Sequence, residues 1–162
     1  MSRAMKNSGI DWIGIIPEEW KLERLQWHIK EIVVKNDPVI TENILSLTKD
    51  RGVIPYEDKG NQGNKSKEDL SGYKIAYKGT LVVNSMNVLI GSVDISAYEG
   101  CVSPVYYVFK NTENTAIRFI NYIFKTEAFQ KQLRRFANGI LEIRLRVSAE
   151  NILRQNIAIP EI

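Results

Sequence analysis

The residue types that most often carry chemistry are rare in this chain. Its 162 residues include one His, His28, and one Cys, Cys101. The two are too few for a zinc site, and a single Cys forms no internal disulfide. His28, in a Leu-Gln-Trp-His-Ile run, is predicted to be a structural or surface residue. Cys101 starts an apolar run and is predicted to be a small buried hydrophobe.

Two segments resemble catalytic motifs superficially. Residues 60–66 suggest a phosphate loop, but Asn64 separates the glycine from the lysine and no strong strand precedes them. The Glu-Asp-Lys run at 57–59 has the carboxylate-x-Lys spacing of some metal-dependent nucleases. Such a site needs another acid; Asp50 and Asp94 are suitable, but nothing in the sequence pairs them. The chain is therefore predicted to be non-catalytic, with no metal and no cofactor of its own.

Positive charge is concentrated late in the chain. Residues 1–100 carry 13 Lys+Arg against 14 Asp+Glu, whereas residues 101–162 carry 9 against 5. Between Lys125 and Arg146 there are six cations and two anions. This excess is suited to a polyanion. The alternative is a solvated helix face whose basic residues favour a helix C-terminus.

Composition predicts one domain over residues 1–162, since 44% hydrophobic and 25% charged residues are ordinary for a globular protein. No apolar run approaches 18 residues, and the N-terminus lacks the apolar core of a signal peptide. We therefore expect a cytoplasmic protein with no membrane partner.

The elements that position these residues are predicted to be short strands followed by helices. Strand patterns occupy 20–25, 44–47, 80–83, 89–95 and, most strongly, 101–109. Helical spacing covers 115–125 and 126–136, with Thr126 ending one helix and capping the next. Strict alternation over 140–147 precedes a helix at 149–153, capped by Ser148, and a strand at 156–159. This order predicts an α+β fold with a mixed, mostly antiparallel sheet and a late helical pair. The polar run 57–69 is predicted to be a surface loop.

Two segments resemble a known family. Residues 8–25, Ser-Gly-Ile-Asp-Trp-Ile-Gly-Ile-Ile-Pro-Glu-Glu-Trp-Lys-Leu-Glu-Arg-Leu, are similar to the opening of specificity subunits of type I restriction-modification enzymes. Residues 100–109, Gly-Cys-Val-Ser-Pro-Val-Tyr-Tyr-Val-Phe, resemble a Gly-x-(Val/Ile)-Ser-Pro-x-Tyr-x-Val segment of the same subunits. Gly139, Arg144 and the Ile-Ala-Ile-Pro run at 157–160 add a third match, so the resemblance covers about residues 8–160.

The resemblance implies one DNA target-recognition domain. Such subunits contain two of these domains, each followed by a long spacer helix, and this sequence stops where that helix would begin. We therefore expect either an excised domain or a half-subunit. The large side chains of the opening segment, Trp12, Trp20 and Trp27, are predicted to lie in the core or at a seam, with Gly14 and Pro17 setting turns. Ser103-Pro104 is predicted to be a strand irregularity.

The implied function is sequence-specific binding of double-stranded DNA at one half of a bipartite target. The implied partners are a methyltransferase (modification) subunit, which holds S-adenosylmethionine, and the restriction subunit. Arg pairs best with guanine, and Asn or Gln with adenine, while Lys and Arg bind phosphates. First-choice base contacts are Lys59, Asn61, Gln62, Asn64, Lys65 and Lys67; second choices are Arg51, Asn84 and Asn87. The phosphate candidates are Arg134, Arg135, Arg144 and Arg146.

Two alternatives stay open at this point. One is a catalytic DNA-processing domain, a nuclease or methyltransferase fragment, although the Asn/Asp-Pro-Pro-Tyr/Phe motif for amino-methyl transfer is absent from the sequence. The other is a protein-interaction module that docks a methyltransferase subunit. Plasmid cleavage or methylation by the isolated chain would favour the first.

Overall fold

The strongest strand pattern of the sequence contributes an inner strand of a four-stranded antiparallel sheet. The computed structural model describes residues 2–60, 69–112, 116–138 and 145–161. In them the strands are β1 (Met5–Asn7), β2 (Ile15–Pro17), β3 (Lys21–Arg24), β4 (Ile29–Glu31), β5 (Leu45–Thr48), β6 (Gly52–Pro55), β7 (Lys74–Ala76), β8 (Leu81–Asn84), β9 (Val93–Ile95), β10 (Gly100–Val102), β11 (Tyr106–Asn111) and β12 (Asn156–Ile159). The four-stranded sheet has the order β4-β11-β8-β9. Four two-stranded ladders, β1-β2, β3-β12, β5-β6 and β7-β10, surround it.

Alternation along the central strands gives the sheet two buried faces. Leu81, Val83 and Phe109 point into one core, together with the helices and β12. Val82 and Val108 point into the other, with the β5-β6 hairpin and the β7-β10 pair. Successive side chains of a strand lie on opposite faces, which is why both cores share the same strands. We call these sides the helical face and the hairpin face.

The helices are short and are stopped by local signals. They are α1 (Ile117–Phe124), α2 (Glu127–Arg134) and α3 (Ala149–Leu153), with 3₁₀ turns at Leu25–Trp27, Tyr56–Lys59 and Asn87–Ile90. The Thr126 hydroxyl donates to the Ile123 carbonyl at 2.7 Å and accepts from the Phe129 amide at 3.3 Å, so it ends α1 and caps α2. The Ser148 hydroxyl accepts from the Asn151 amide at 3.1 Å and caps α3. These predictions, the late helical pair and the α+β class are confirmed.

Two strand predictions were too long. In 89–95 only the last three residues form β9, because the Asn87–Ile90 3₁₀ turn ends at Gly91, whose φ is +88°. The predicted strand 101–109 is interrupted at Ser103-Pro104, where the sequence predicted an irregularity. The two parts, β10 and β11, pair with different strands. Of the run 140–147, only 145–147 lies within the described residues; there Arg146 pairs with Asn138.

The three tryptophans differ in burial. Trp12 packs on the Phe129 ring at 5.6 Å between centroids and Trp20 packs edge-on against Phe119 at 5.5 Å, so both predictions are confirmed. Trp27 is 65% exposed, and its assignment to the core or a seam was wrong. Its 3₁₀ turn buries Leu25 instead, which directs Trp27 outwards.

The two reactive side chains are structural. His28 is 3.0 Å from the Glu23 carboxylate through Nε2. Cys101 is fully buried beside Leu70, Tyr73 and Ile75, and burial raises the pKa of its thiol. Both predictions are confirmed. Among the described helices, none is long and apolar enough to cross a membrane.

Candidate nucleic-acid interface

A partly buried tyrosine on β11, Tyr107, lies near two cations that are distant from it in sequence. The Lys74 ammonium lies 5.5 Å from the centroid of the Tyr107 ring and donates to the Tyr106 carbonyl at 2.8 Å. The Tyr107 hydroxyl donates to the Val147 carbonyl at 2.8 Å, next to Arg146. We call Lys74, Tyr107 and Arg146 the tyrosine cluster.

Burial and nearby charges shift the pKa values of Tyr107 and Lys74 in opposite directions. Burial, and then the Glu31 carboxylate, raise the pKa of Tyr107, while the nearby Arg146 charge lowers it. Burial lowers the pKa of Lys74, and Glu31 opposes that shift. The phenol therefore stays protonated at neutral pH. The cluster offers cationic donors and an aromatic face, which are the groups that meet phosphates and bases.

The segment carrying Arg146 is held by backbone hydrogen bonds. Asn138 and Arg146 exchange amide-to-carbonyl bonds of 2.8 and 2.9 Å, and the Val147 amide donates to the Ser85 carbonyl at 3.0 Å. Val147 is buried while Arg146 is exposed. A predicted phosphate contact thus projects from a fixed backbone.

Asn84 is a turn residue rather than an exposed base reader. It is only 7% exposed, and its side-chain oxygen accepts from the amides of Met86 at 2.9 Å and Asn87 at 3.1 Å. This placement disfavours a base contact through the side-chain oxygen, which is used in the turn after β8, and the selection of Asn84 stays a prediction. Asn87 begins the 3₁₀ turn and is exposed.

Arg51 lies in the β5-β6 turn, and Lys59 lies near the start of the polar run 57–69. The Arg51 guanidinium donates from Nη1 to the Asp58 carbonyl at 2.9 Å, which ties the β5-β6 turn to the Tyr56–Lys59 3₁₀ turn. The Lys59 ammonium lies 5.1 Å from the Tyr56 ring centroid. The structure therefore brings these two candidates together. The remaining loop candidates, Asn61, Gln62, Asn64, Lys65 and Lys67, and also Arg144, lie outside the described residues.

The two arginines at the end of α2 diverge. Arg135 lines a cavity of about 410 Å³ with Trp12, Arg154 and polar side chains. Gln130, one turn before Arg134, approaches Gly91 after the 3₁₀ turn, so that flank of α2 meets a different part of the chain. The two flanks of α2 next to Arg134 and Arg135 therefore meet different parts of the chain.

Lys74 and Tyr107 were missed by the sequence prediction. Tyr107 lies inside a segment that was assigned to a strand, and Lys74 follows the polar loop after a gap of several residues. Their proximity arises from strand packing across 33 positions, for which the sequence has no local signal. In the described parts of the chain, no group of three His, Cys, Asp or Glu side chains is placed to hold a metal ion; there Asp94 instead accepts from the Asn121 amide at 3.1 Å.

Comparison with known proteins places the fold. No family model and no curated protein sequence matches the chain. The crystal structure of the HsdS subunit from Thermoanaerobacter tengcongensis matches 97% of this chain with a TM-score of 0.55 at 15% identity. A chain from a structure on complex assembly and conformational transition of the type I R-M system matches 98%, with a TM-score of 0.55 at 12% identity. The match spans 36% and 37% of those longer chains.

At such identities the likeness concerns the fold. It confirms, at that level, the resemblance carried by residues 8–25 and 100–109. One structural neighbour is an HsdS subunit and the other comes from a type I R-M system, and this chain has their fold over nearly its whole length.

Proposed function

We propose that this chain binds double-stranded DNA as a single target-recognition domain, 1–162, reading one half of a bipartite target for a type I R-M complex. The observation that carries the proposal is the HsdS fold over 97% of the chain. The exposed, backbone-anchored Arg146 beside Tyr107 and Lys74 agrees with it, because phosphate contacts position such proteins on the duplex.

Each candidate has a distinct task in this proposal. Arg146 and Lys74 bind phosphates, and Arg51 with the loop after Lys59 approaches base edges in the major groove, where Arg and Asn distinguish base pairs. The chain itself makes and breaks no covalent bond. A methyltransferase subunit holding S-adenosylmethionine supplies the chemistry, and a restriction subunit completes the complex.

Fluorescence anisotropy with a labelled mixed-sequence duplex tests the binding. Arg146→Ala is expected to weaken binding at low salt and to lower the slope of log affinity against log salt by roughly 0.9, the value for one lost phosphate contact. Arg3→Ala is the matched control, because Arg3 is an exposed arginine paired with Glu19 on β1's side of the chain. Equal slopes for wild type and both variants would remove Arg146 from the interface.

A second experiment tests the division of labour. Incubation with plasmid, Mg²⁺ and S-adenosylmethionine is expected to leave the DNA uncut and unmethylated. Cleavage or methylation by the isolated chain would overturn the proposal in favour of a catalytic domain. Selection from a randomised duplex pool, with the modification subunit present, would then identify the half-target.

A further inference from the structure

One segment of the chain places a lysine opposite a lysine twice. In β4, Lys30 is the antiparallel partner of Lys110 on β11. Five residues later Lys35 is the antiparallel partner of Lys74 on β7. Lys30, Lys35 and Lys110 are exposed, and Lys74 is partly buried. We call Lys30, Lys35 and Lys110 the lysine edge.

Such pairs oppose folding. Like charges directly across two strands are destabilising. Lys35 and Lys74 form a non-hydrogen-bonded antiparallel pair, the kind in which the two side chains lie closest together. The flanking hydrogen bonds define it: the Ile75 amide donates to the Val34 carbonyl and the Asn36 amide to the Tyr73 carbonyl, each at 2.8 Å. The Lys74 ammonium turns away onto the Tyr106 carbonyl and the Tyr107 ring. The lysine edge is thereby connected to the tyrosine cluster.

Local carboxylates do not neutralise the lysine edge. Within the described ranges, none of its three lysines has a carboxylate within 4.0 Å. Glu31 is opposite Phe109 and shares its side of the strand, away from Lys30. Asp37 is exposed beyond the segment.

Protection of a sheet edge explains only part of the pattern. Lysines on edge strands discourage pairing with other chains, which accounts for Lys30 on β4. Lys110 is paired with Lys30 on its β4 side, and the ladder between β11 and β8 ends one residue earlier, at Phe109. Edge protection needs no second lysine directly opposite Lys30, and no carboxylate of the described residues forms an ion pair with either lysine, which favours an anionic partner from outside the chain.

We propose that the lysine edge is a second phosphate-contact line for duplex DNA, continuous with the tyrosine cluster through Lys74. This inference rests on the proposed function and extends it to a surface built from β4 and β11. At about 3.3 Å per residue of an extended chain, Lys30 and Lys35 are at most roughly 16 Å apart. That distance spans several phosphates of a duplex, which carries one charge per about 1.7 Å of axis.

The variant Lys30→Glu separates binding from stability. It replaces a repulsive cross-strand pair with an attractive Glu–Lys pair, so the melting temperature is expected to rise at low salt and the gain to shrink at high salt. Duplex affinity is expected to fall, with the salt slope smaller by at least about 0.9 between roughly 50 and 200 mM salt. Lys6→Glu, the same charge change on exposed β1, is the control and should leave the slope unchanged.

The outcomes are distinguishable. If wild type itself fails to bind duplex, the proposed function fails. If wild type binds and Arg146→Ala weakens it, but Lys30→Glu binds as wild type does, the lysine edge is not a phosphate contact and the proposed function stands. Weakened binding to the purified modification subunit, with duplex affinity intact, would assign the edge to an acidic protein surface and overturn the inference.

Discussion

The two faces of the central sheet differ in how much they bury. In the described part of the chain, sixteen buried apolar residues form the core of the helical face, including Phe109, Phe124 and Phe129. The hairpin face buries seven, most of them Val. Apolar burial contributes roughly 25 cal/mol per Å², so the helical face supplies most of the stability.

The two faces therefore have different roles: one contributes most of the buried core, and the other carries exposed cations. The hairpin face carries the β5-β6 turn with Arg51 and the strands that lead to Lys74. The helical face holds the Val147 side chain, and through it the backbone from which Arg146 projects. The larger core of the helical face therefore stabilises the sheet, while turns around the smaller core of the hairpin face present polar side chains to a partner.

A matched pair of truncations tests this asymmetry most directly. Leu133→Ala, in the fully buried core of the helical face, is expected to cost about 4–5 kcal/mol, because packed neighbours leave a cavity that cannot collapse. Leu47→Ala, 8% exposed on the hairpin face, should cost about 2–3 kcal/mol. Urea unfolding followed by circular dichroism measures both.

Tyr122→Ala is the control for these truncations, since Tyr122 is 70% exposed on α1 and should change stability by less than about 0.5 kcal/mol. Equal losses for Leu133→Ala and Leu47→Ala would show that the two faces contribute alike, contrary to the asymmetry.

A smaller effect on stability is expected at Gly52, where the β5-β6 hairpin packs closely against Asp94 of β9. Gly52 has φ +69°, and a Cβ there would overlap the Asp94 carboxylate, which the Asn121 amide holds in place. Gly52→Ala should therefore cost about 1–2 kcal/mol for the left-handed backbone, plus the displacement of Asp94. Repeating it in an Asp94→Ala background should recover only the second part. Full recovery would mean that the backbone conformation costs nothing.

Local signals predicted the late part of the fold well. Thr126 and Ser148 cap where their side-chain chemistry indicates, and the 156–159 strand is β12. The failures are where tertiary context decides. The first two residues of the predicted strand 89–95 belong to the Asn87–Ile90 3₁₀ turn, which ends at Gly91 with φ +88°. Trp27 points outwards although large aromatics usually bury.

The candidate interface was less predictable for a physical reason. Arg51 could be chosen because it lies at a predicted turn, and Arg146 because it belongs to the excess of cations between Lys125 and Arg146. Asn84 looked equally suitable, yet its carboxamide stabilises its own turn. Lys74 reaches Tyr107 only after β7 and β11 have packed, so no spacing along the chain encodes the tyrosine cluster.

The smallest expected effect concerns the helix caps, which lie on the helical face. Thr126→Ala removes the hydroxyl that accepts from the Phe129 amide and should cost about 1 kcal/mol, whereas Thr126→Ser keeps it and should cost less. Because packing of Phe129 and Leu133 holds α2 in place, Thr126→Ala should lose less stability than Leu47→Ala on the hairpin face. Thermal unfolding of the three variants at one pH measures the order. If Thr126→Ala lost more stability than Leu47→Ala, α2 would depend on its first turn more than on its buried side chains. The larger core would then not be what stabilises the helical face.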